Sequence, residues 1–159
     1  MKPSITPGYV EILNELEKFR NDLNRLGFDE IYMDLACSLA KRSTCSRLHV
    51  GCVVVSDDKQ RVLSIGYNGG AKKIFNDCLS DEPGKCGHLH AEMNALIKLN
   101  YNEPVKKKMY VTVLPCFQCS VAIVNASIDE VIYLNDYRLT DGLELLHRAN
   151  IKVRKYEEV

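Results

Sequence analysis

The sequence contains no tryptophan, and only 8% of its 159 residues are aromatic. It has no surplus of either charge, with 21 Lys and Arg against 21 Asp and Glu. A groove that tracks a nucleic-acid strand needs a basic stripe and stacking aromatics, so both shortages argue against a polynucleotide partner. They leave small anionic ligands open, because those need only a local cation. No apolar run approaches the roughly 20 residues of a membrane-spanning helix, and no membrane partner is expected. Met1-Lys2-Pro3-Ser4 leads into a charged amphipathic segment and not into the apolar stretch of a secretory leader. Seven cysteines, an odd number, do not read as a disulfide framework. The expectation is a chain of the reducing cytoplasm whose cysteines serve metals and core.

The hydrophobic pattern predicts one domain's worth of alternating elements. Ile12, Leu13, Leu16, Phe19, Leu23 and Leu26 recur with the helical period over 9–26, with Gly27 as the expected stop. A second helix is expected over 29–40, with Ile31, Met33, Leu35, Ala36 and Leu39 on its apolar side. The runs 50–56 and 61–67, joined by Asp57-Asp58-Lys59-Gln60, predict an antiparallel hairpin. Residues 71–89 are irregular, and a loop of that length in a small domain is functional or held by something. A helix over 91–99 follows, then Lys106-Lys107-Lys108 as a solvated connection and a strand over 109–113. Pro115 opens a helix to about Ala126, and 130–134, 141–149 and 151–154 read as strand, helix and strand. Such alternation predicts an α/β fold, a mixed sheet covered by helices.

Two short motifs carry chemistry. His90-Ala91-Glu92 is followed by Pro115-Cys116-Phe117-Gln118-Cys119. His-x-Glu with Pro-Cys-x-x-Cys is the pattern of zinc-dependent nucleobase deamination. An imidazole from His90 and thiolates from Cys116 and Cys119 make three zinc ligands, leaving a fourth position for water as catalytic sites require. Zinc lowers the pKa of bound water toward neutrality. Glu92 is then the proton shuttle, moving the water's proton to the ring and the departing amino group. Cys116 and Cys119, three apart at the start of a helix, share a face, and the helix N-terminus favours their thiolates. Either motif alone is weak. Both together, each before an apolar helical segment, favour a catalytic metal over a structural one, and a purely structural site has no need of Glu92.

With these residues in hand, the chain resembles the cytidine deaminase superfamily and, within it, the deoxycytidylate (dCMP) deaminase family. The narrower resemblance rests on Arg42-Ser43-Thr44-Cys45, His49-Val50-Gly51, Gly66-Tyr67-Asn68-Gly69 and Asp136-Tyr137. It implies a three-layer α/β/α fold with a five-stranded mixed sheet, one catalytic zinc, and hydrolysis of dCMP to dUMP and ammonia. It covers roughly 30–156, so 1–29 reads as a helical extension ahead of a deaminase domain over 30–159. It implies that Asn68 contacts sugar or base, that Tyr137 walls the nucleotide and that Ala91 offers backbone groups to the base edge. It also implies a homo-oligomer, a dimer or hexamer. The runner-up is a deaminase of free cytidine, deoxycytidine or another cytosine nucleotide. The chain departs from the family after Gly69, where Gly70-Ala71-Lys72-Lys73 replaces the usual Pro and Gly of an effector-binding segment. Tyr101 stands where family members carry a basic residue near the substrate phosphate, leaving Lys72, Lys73 or Lys98 as candidates.

Three further cysteines and a histidine lie in loop-like stretches, where a free thiol is not the usual small core hydrophobe. Cys45, Cys78, Cys86 and His88 form a Cys₃His set of the kind that closes a structural zinc site, and some deoxycytidylate deaminases resemble this with ligands from the same regions. Such an ion would fasten the 71–89 loop to the end of the second helix. Cys37 and Cys52 read as core. His88 and His90, two apart, are expected to point to opposite sides of the chain and to serve different metals.

Overall fold

The computed structural model describes residues 7–23, 25–71, 77–80, 82 and 85–157. Five helices and five strands alternate among them: α1 (Pro7–Leu23), α2 (Phe28–Ala40), β1 (Gly51–Ser56), β2 (Val62–Tyr67), α3 (Ala91–Leu96), β3 (Lys107–Val113), α4 (Phe117–Asn125), β4 (Glu130–Asn135), α5 (Asp141–Arg148) and β5 (Lys152–Lys155). The strands form one mixed sheet in the order β2-β1-β3-β4-β5. β1 is antiparallel to both β2 and β3, whereas β3, β4 and β5 run parallel. The short 57–61 connection makes the hairpin, and the parallel steps need the crossover helices α4 and α5. The three-layer α/β/α architecture expected from the sequence is the one observed.

The pleat sorts the core into two faces. Cys52 and Val54 of β1, Met109 and Val111 of β3 and Val131 of β4 turn toward α3, α4 and α5. Val53, Val55, Tyr110 and Ile132 turn toward Tyr32, Met33, Ala36 and Leu39 of α2. β1 is buried on both faces, which explains why its sequence is a continuous apolar run and not an alternating one.

Some boundaries differ from the sequence reading. Gly27 does not stop the first helix; it is the extended N-cap of α2, with φ −68° and ψ 150°. Tyr32 replaces Ile31 on the buried side of α2, because its ring packs at a tilt against Tyr110, centroids 5.4 Å apart, and its hydroxyl donates to the Lys59 carbonyl at 2.7 Å. Lys107 and Lys108 are strand residues and not a solvated connection. Lys107 is buried with its amine on the Val105 carbonyl, and Lys108 pairs with Asp57 and Glu130. On α1, Val10, Ile12, Leu13, Leu16 and Phe19 are 42–64% exposed.

One carboxylate ties the sheet to α2 at the end where β3 and β4 begin. Asp29, in the first turn of α2, accepts from the Tyr110 hydroxyl at 2.6 Å, from Lys59 and from Arg154, and Arg154 also reaches Glu130 at 2.9 Å. The contacts join α2, the hairpin turn, β3, β4 and β5. Burial alone would raise the Asp29 carboxyl, but hydrogen bonds from Lys59, Tyr110 and Arg154 outweigh it and hold the group well below its ordinary value of 3.8. A folded-state pKa below the unfolded one stabilises above the unfolded value and is lost as pH falls through it toward the folded value. Asp29→Asn is therefore expected to lower stability at pH 7 by on the order of 1–3 kcal/mol. The gap to wild type should narrow below about pH 4. Urea unfolding of both proteins at pH 7 and pH 3 checks this, and an equal gap at the two pH values contradicts it.

Candidate metal centre and active site

The opposite end of the sheet, where Gly51 of β1 pairs with Tyr67 and Cys52 pairs with Val111, receives the starts of α3 and α4. α3 lies directly on β2. A Cβ on Gly66 would stand 2.1 Å from the Ala91 carbonyl oxygen and 2.6 Å from the Ala95 nitrogen, so only glycine permits the approach. Ser64 donates to the Ala95 carbonyl at 2.6 Å and Asn94 donates to the Tyr67 carbonyl at 2.7 Å, fixing the helix along the strand. The second motif is set from its other side. The Leu114 N–H donates to the Asn135 carbonyl at 2.8 Å, and Gly142 of α5 lies so close that a Cβ would meet the Pro115 oxygen at 2.5 Å.

These constraints put both motifs at helix N-caps. His90 caps α3 with φ −70° and ψ 155°, and Cys116 caps α4 with φ −70° and ψ 168°. The helix therefore starts after Cys116 and not at Pro115, with Cys119 one turn in. His90 Nδ1 lies 3.3 Å from Cys119 Sγ and 3.5 Å from Cys116 Sγ, and the three donor atoms all fall within 4.8 Å of one another. Zinc bonds of about 2.3 Å to sulfur and about 2.05 Å to nitrogen, opened at the tetrahedral angle, separate sulfur from nitrogen by about 3.6 Å. The donor set fits zinc in both chemistry and spacing.

The sulfur pair is electrostatically poised. A hydrogen bond from the Cys119 thiol, ahead of one from His90, holds Cys116 down at about 4, while donating that proton and being buried push Cys119 up. The Cys116 thiolate in turn raises His90. Glu92, in the first turn of α3, is 4% exposed, and burial raises its carboxyl. Keeping the carboxylate out of water beside the metal donors shifts its proton affinity upward, the direction that acid–base work requires.

A cavity of about 380 Å³ opens over this floor. Its size falls in the roughly 300–1,000 Å³ range of small-molecule sites. His90, Ala91, Glu92 and Cys116 lie at it, as do Asn68 and Tyr137. Asn68 is also a structural clamp: its amide donates to the Leu48 carbonyl at 2.7 Å and accepts from the Val50 N–H at 2.8 Å. Lys98 is not at the cavity lining, since its amine donates to the Ile65 carbonyl at 2.6 Å, and Lys72 and Lys73 lie outside the described residues. Two lining cations, Arg47 and Arg138, escaped the sequence reading. Arg138 directly follows Tyr137, and that adjacency was the available signal.

A second donor set lies beside the first. Cys45, Cys78 and His88 bring donor atoms within 4.8 Å of one another. Cys86 does not join them. It is buried against the Arg47 guanidinium, and Gly87, at φ 76°, breaks the extended run between Cys86 and His88. His88 and His90 belong to different sets but do not face opposite ways. Both border the cavity, as residues two apart in extended backbone do.

An imidazole, two sulfurs and a buried carboxylate on the floor of a small cavity are the groups that metal-assisted hydrolysis uses. The chain belongs to the cytidine and deoxycytidylate deaminase family: the family's zinc-binding region matches residues 27–135. The deoxycytidylate deaminase of Saccharomyces cerevisiae is 34% identical over 92% of this chain, which spans half the length of that relative. The deoxycytidylate deaminase of Mycobacterium phage D29 is 34% identical over 70% of this chain and 97% of its own length. Among solved structures, the dCMP deaminase of cyanophage S-TIM5 in complex with dCMP and dUMP superposes with a TM-score of 0.72 at 31% identity, over 83% of this chain and all of the phage chain. No helix among the described residues is long and apolar enough to cross a membrane.

Proposed function

We propose that the chain is a zinc-dependent deaminase that hydrolyses dCMP to dUMP and ammonia. The observation that carries this reading is the convergence of His90, Cys116 and Cys119 beside buried Glu92 on the floor of the cavity. Zinc held by those three side chains supplies a Lewis acid that lowers the pKa of water toward neutrality. Glu92 accepts a proton from the attacking water and passes it to the ring nitrogen next to C4. It then takes the remaining proton of the added hydroxyl and delivers it to the amino group. The C4–N bond breaks, ammonia leaves, and the water oxygen remains as the carbonyl of uracil. The Ala91 N–H, at the first helical position and without an intrahelical acceptor, meets the base edge. Asn68 retains one amide hydrogen for sugar or base, and Tyr137 walls the nucleotide. Relatives named deoxycytidylate deaminase favour the monophosphate over free cytidine or deoxycytidine.

The remaining assignments rest on the same frame. A helical extension over 1–29 precedes the deaminase domain over 30–159, a division that falls just inside α2. The seven free cysteines suit a reducing cytoplasm. A second, structural zinc is held by Cys45, Cys78 and His88, without Cys86, which lies against Arg47. The chain works as a homo-oligomer, which covers the exposed stripe of α1.

Three outcomes are expected. Glu92→Gln keeps its zinc but loses on the order of 10²–10⁴ in rate, measured as ammonia release from dCMP; substantial turnover in metal-replete variant protein would sink the mechanism. Metal analysis of purified protein should give two zincs per chain, falling to one in Cys78→Ser, and a single zinc in replete wild type removes the second site. Light scattering at micromolar concentration should give a mass above that of one chain, and a monomer refutes the assembly.

A further inference from the structure

We infer that α1 associates in parallel with α1 of further copies of this chain, in a bundle of three or four strands, an inference that rests on the homo-oligomer reading above and names its interface. Along α1, Tyr9, Ile12, Leu16, Phe19 and Leu23 recur at alternating steps of three and four residues. That is the a and d spacing of a heptad repeat, and it gathers the five positions into one narrow seam. From Val10 to Asp22, every position off the seam except Val10 and Leu13 is charged or asparagine. Ile12, Leu16 and Phe19 are 55%, 59% and 64% exposed, so more than half of each is left to water. A row of large apolar side chains rimmed by charge is the mark of a surface that another surface covers.

The flanking charges choose the partner and its direction. With Tyr9, Leu16 and Leu23 at a and Ile12 and Phe19 at d, Glu15 falls at g, Arg20 at the following e and Asp22 at the next g. In a parallel arrangement, g of one helix meets the following e of its neighbour, so Glu15 stands opposite Arg20 of the next copy. An antiparallel arrangement brings g against g, and Glu15 would face Asp22, like charge against like. The same helix thus carries both halves of its own complement, which is what a second copy of the chain supplies. Leucine at a with isoleucine at d favours three or four strands over two, and Leu13 at e extends the apolar face toward the second neighbour of such a bundle. With 17 residues, α1 is near the length at which an isolated helix is marginal in water, so its order and its association are coupled. α2 begins shortly after α1 ends. A parallel bundle therefore gathers the Asp29 ends of the domains beside it and leaves the cavities at the far end of each sheet. α1 contributes none of the residues lining the cavity.

Charge exchange on the full chain tests this, read by sedimentation equilibrium over a range of concentrations, with circular dichroism confirming a folded domain in every variant. Wild type should have the mass of three or four chains, or a multiple of either. L16A/F19A should lower that mass at micromolar concentration, because every strand loses two seam side chains. E15R and R20E each set like charges at g and e, and each should weaken association by about 3- to 30-fold. The double variant E15R/R20E restores an opposite pair and should recover the wild-type mass. An equimolar mixture of E15R and R20E should assemble more tightly than either alone, and high salt should erase that difference. A monomeric wild type overturns this inference and the homo-oligomer reading together. A dimer, a mass indifferent to L16A/F19A, or an E15R protein that associates as tightly as wild type or more so, the antiparallel result, overturns the inference and leaves the homo-oligomer reading standing.

Discussion

Everything at the site depends on two helices beginning at the same end of one sheet, close enough for His90 and the Cys116–Cys119 pair to share one ion. The two starts are more than 20 residues apart in the chain, and no local interaction holds them together. Close packing does. Gly66 admits the first turn of α3 onto β2, and Gly142 admits α5 against Pro115. A methyl group at either place would meet backbone atoms, and backbone cannot step aside as a side-chain tip does. The sulfur–nitrogen spacings of 3.3 and 3.5 Å follow from that packing.

The two ends of the sheet do different work. At one, Asp29 and Glu130 gather Lys59, Tyr110, Arg154, Lys108 and Lys152 into an ionic knot that locks α2 across β3, β4 and β5. At the other, polar side chains are spent on chemistry and on holding irregular backbone. Asn68 does both kinds of work: it clamps residues 48–50 and stands in the cavity wall. α2 spans the distance between the two ends, and the segment after it supplies Cys45 and Arg47 to the cavity wall.

Charge is arranged in the same economical way. The molecule is neutral overall, and several exposed cations are paired with carboxylates or backbone carbonyls, as for Lys85, Lys155 and Lys98. Arg138, over the Tyr137 ring, is set apart from the other exposed cations by its place at the cavity lining. Cys86 makes the complementary point. Its residue type fits a metal set, but the left-handed turn at Gly87 and the nearby Arg47 take it out of the set.

By itself the sequence determined what depends on local pattern. Periodicity placed the helices and strands to within a few residues, and His-x-Glu with Pro-Cys-x-x-Cys picked out the donor set that converges and the buried carboxylate beside it, because spacing along a helix start is a local property. It misjudged Gly27, Tyr32, Lys107 and Lys108, where a distant partner decides burial: Tyr110 and the Lys59 carbonyl for Tyr32, Glu130 for Lys108. Only the tertiary structure decided which thiols converge and which cations border the cavity. Those are distances between segments far apart in the chain. They are set by strand order, by the close approach of helices to glycines and by single backbone turns, none of which is written in the spacing of residues along the sequence.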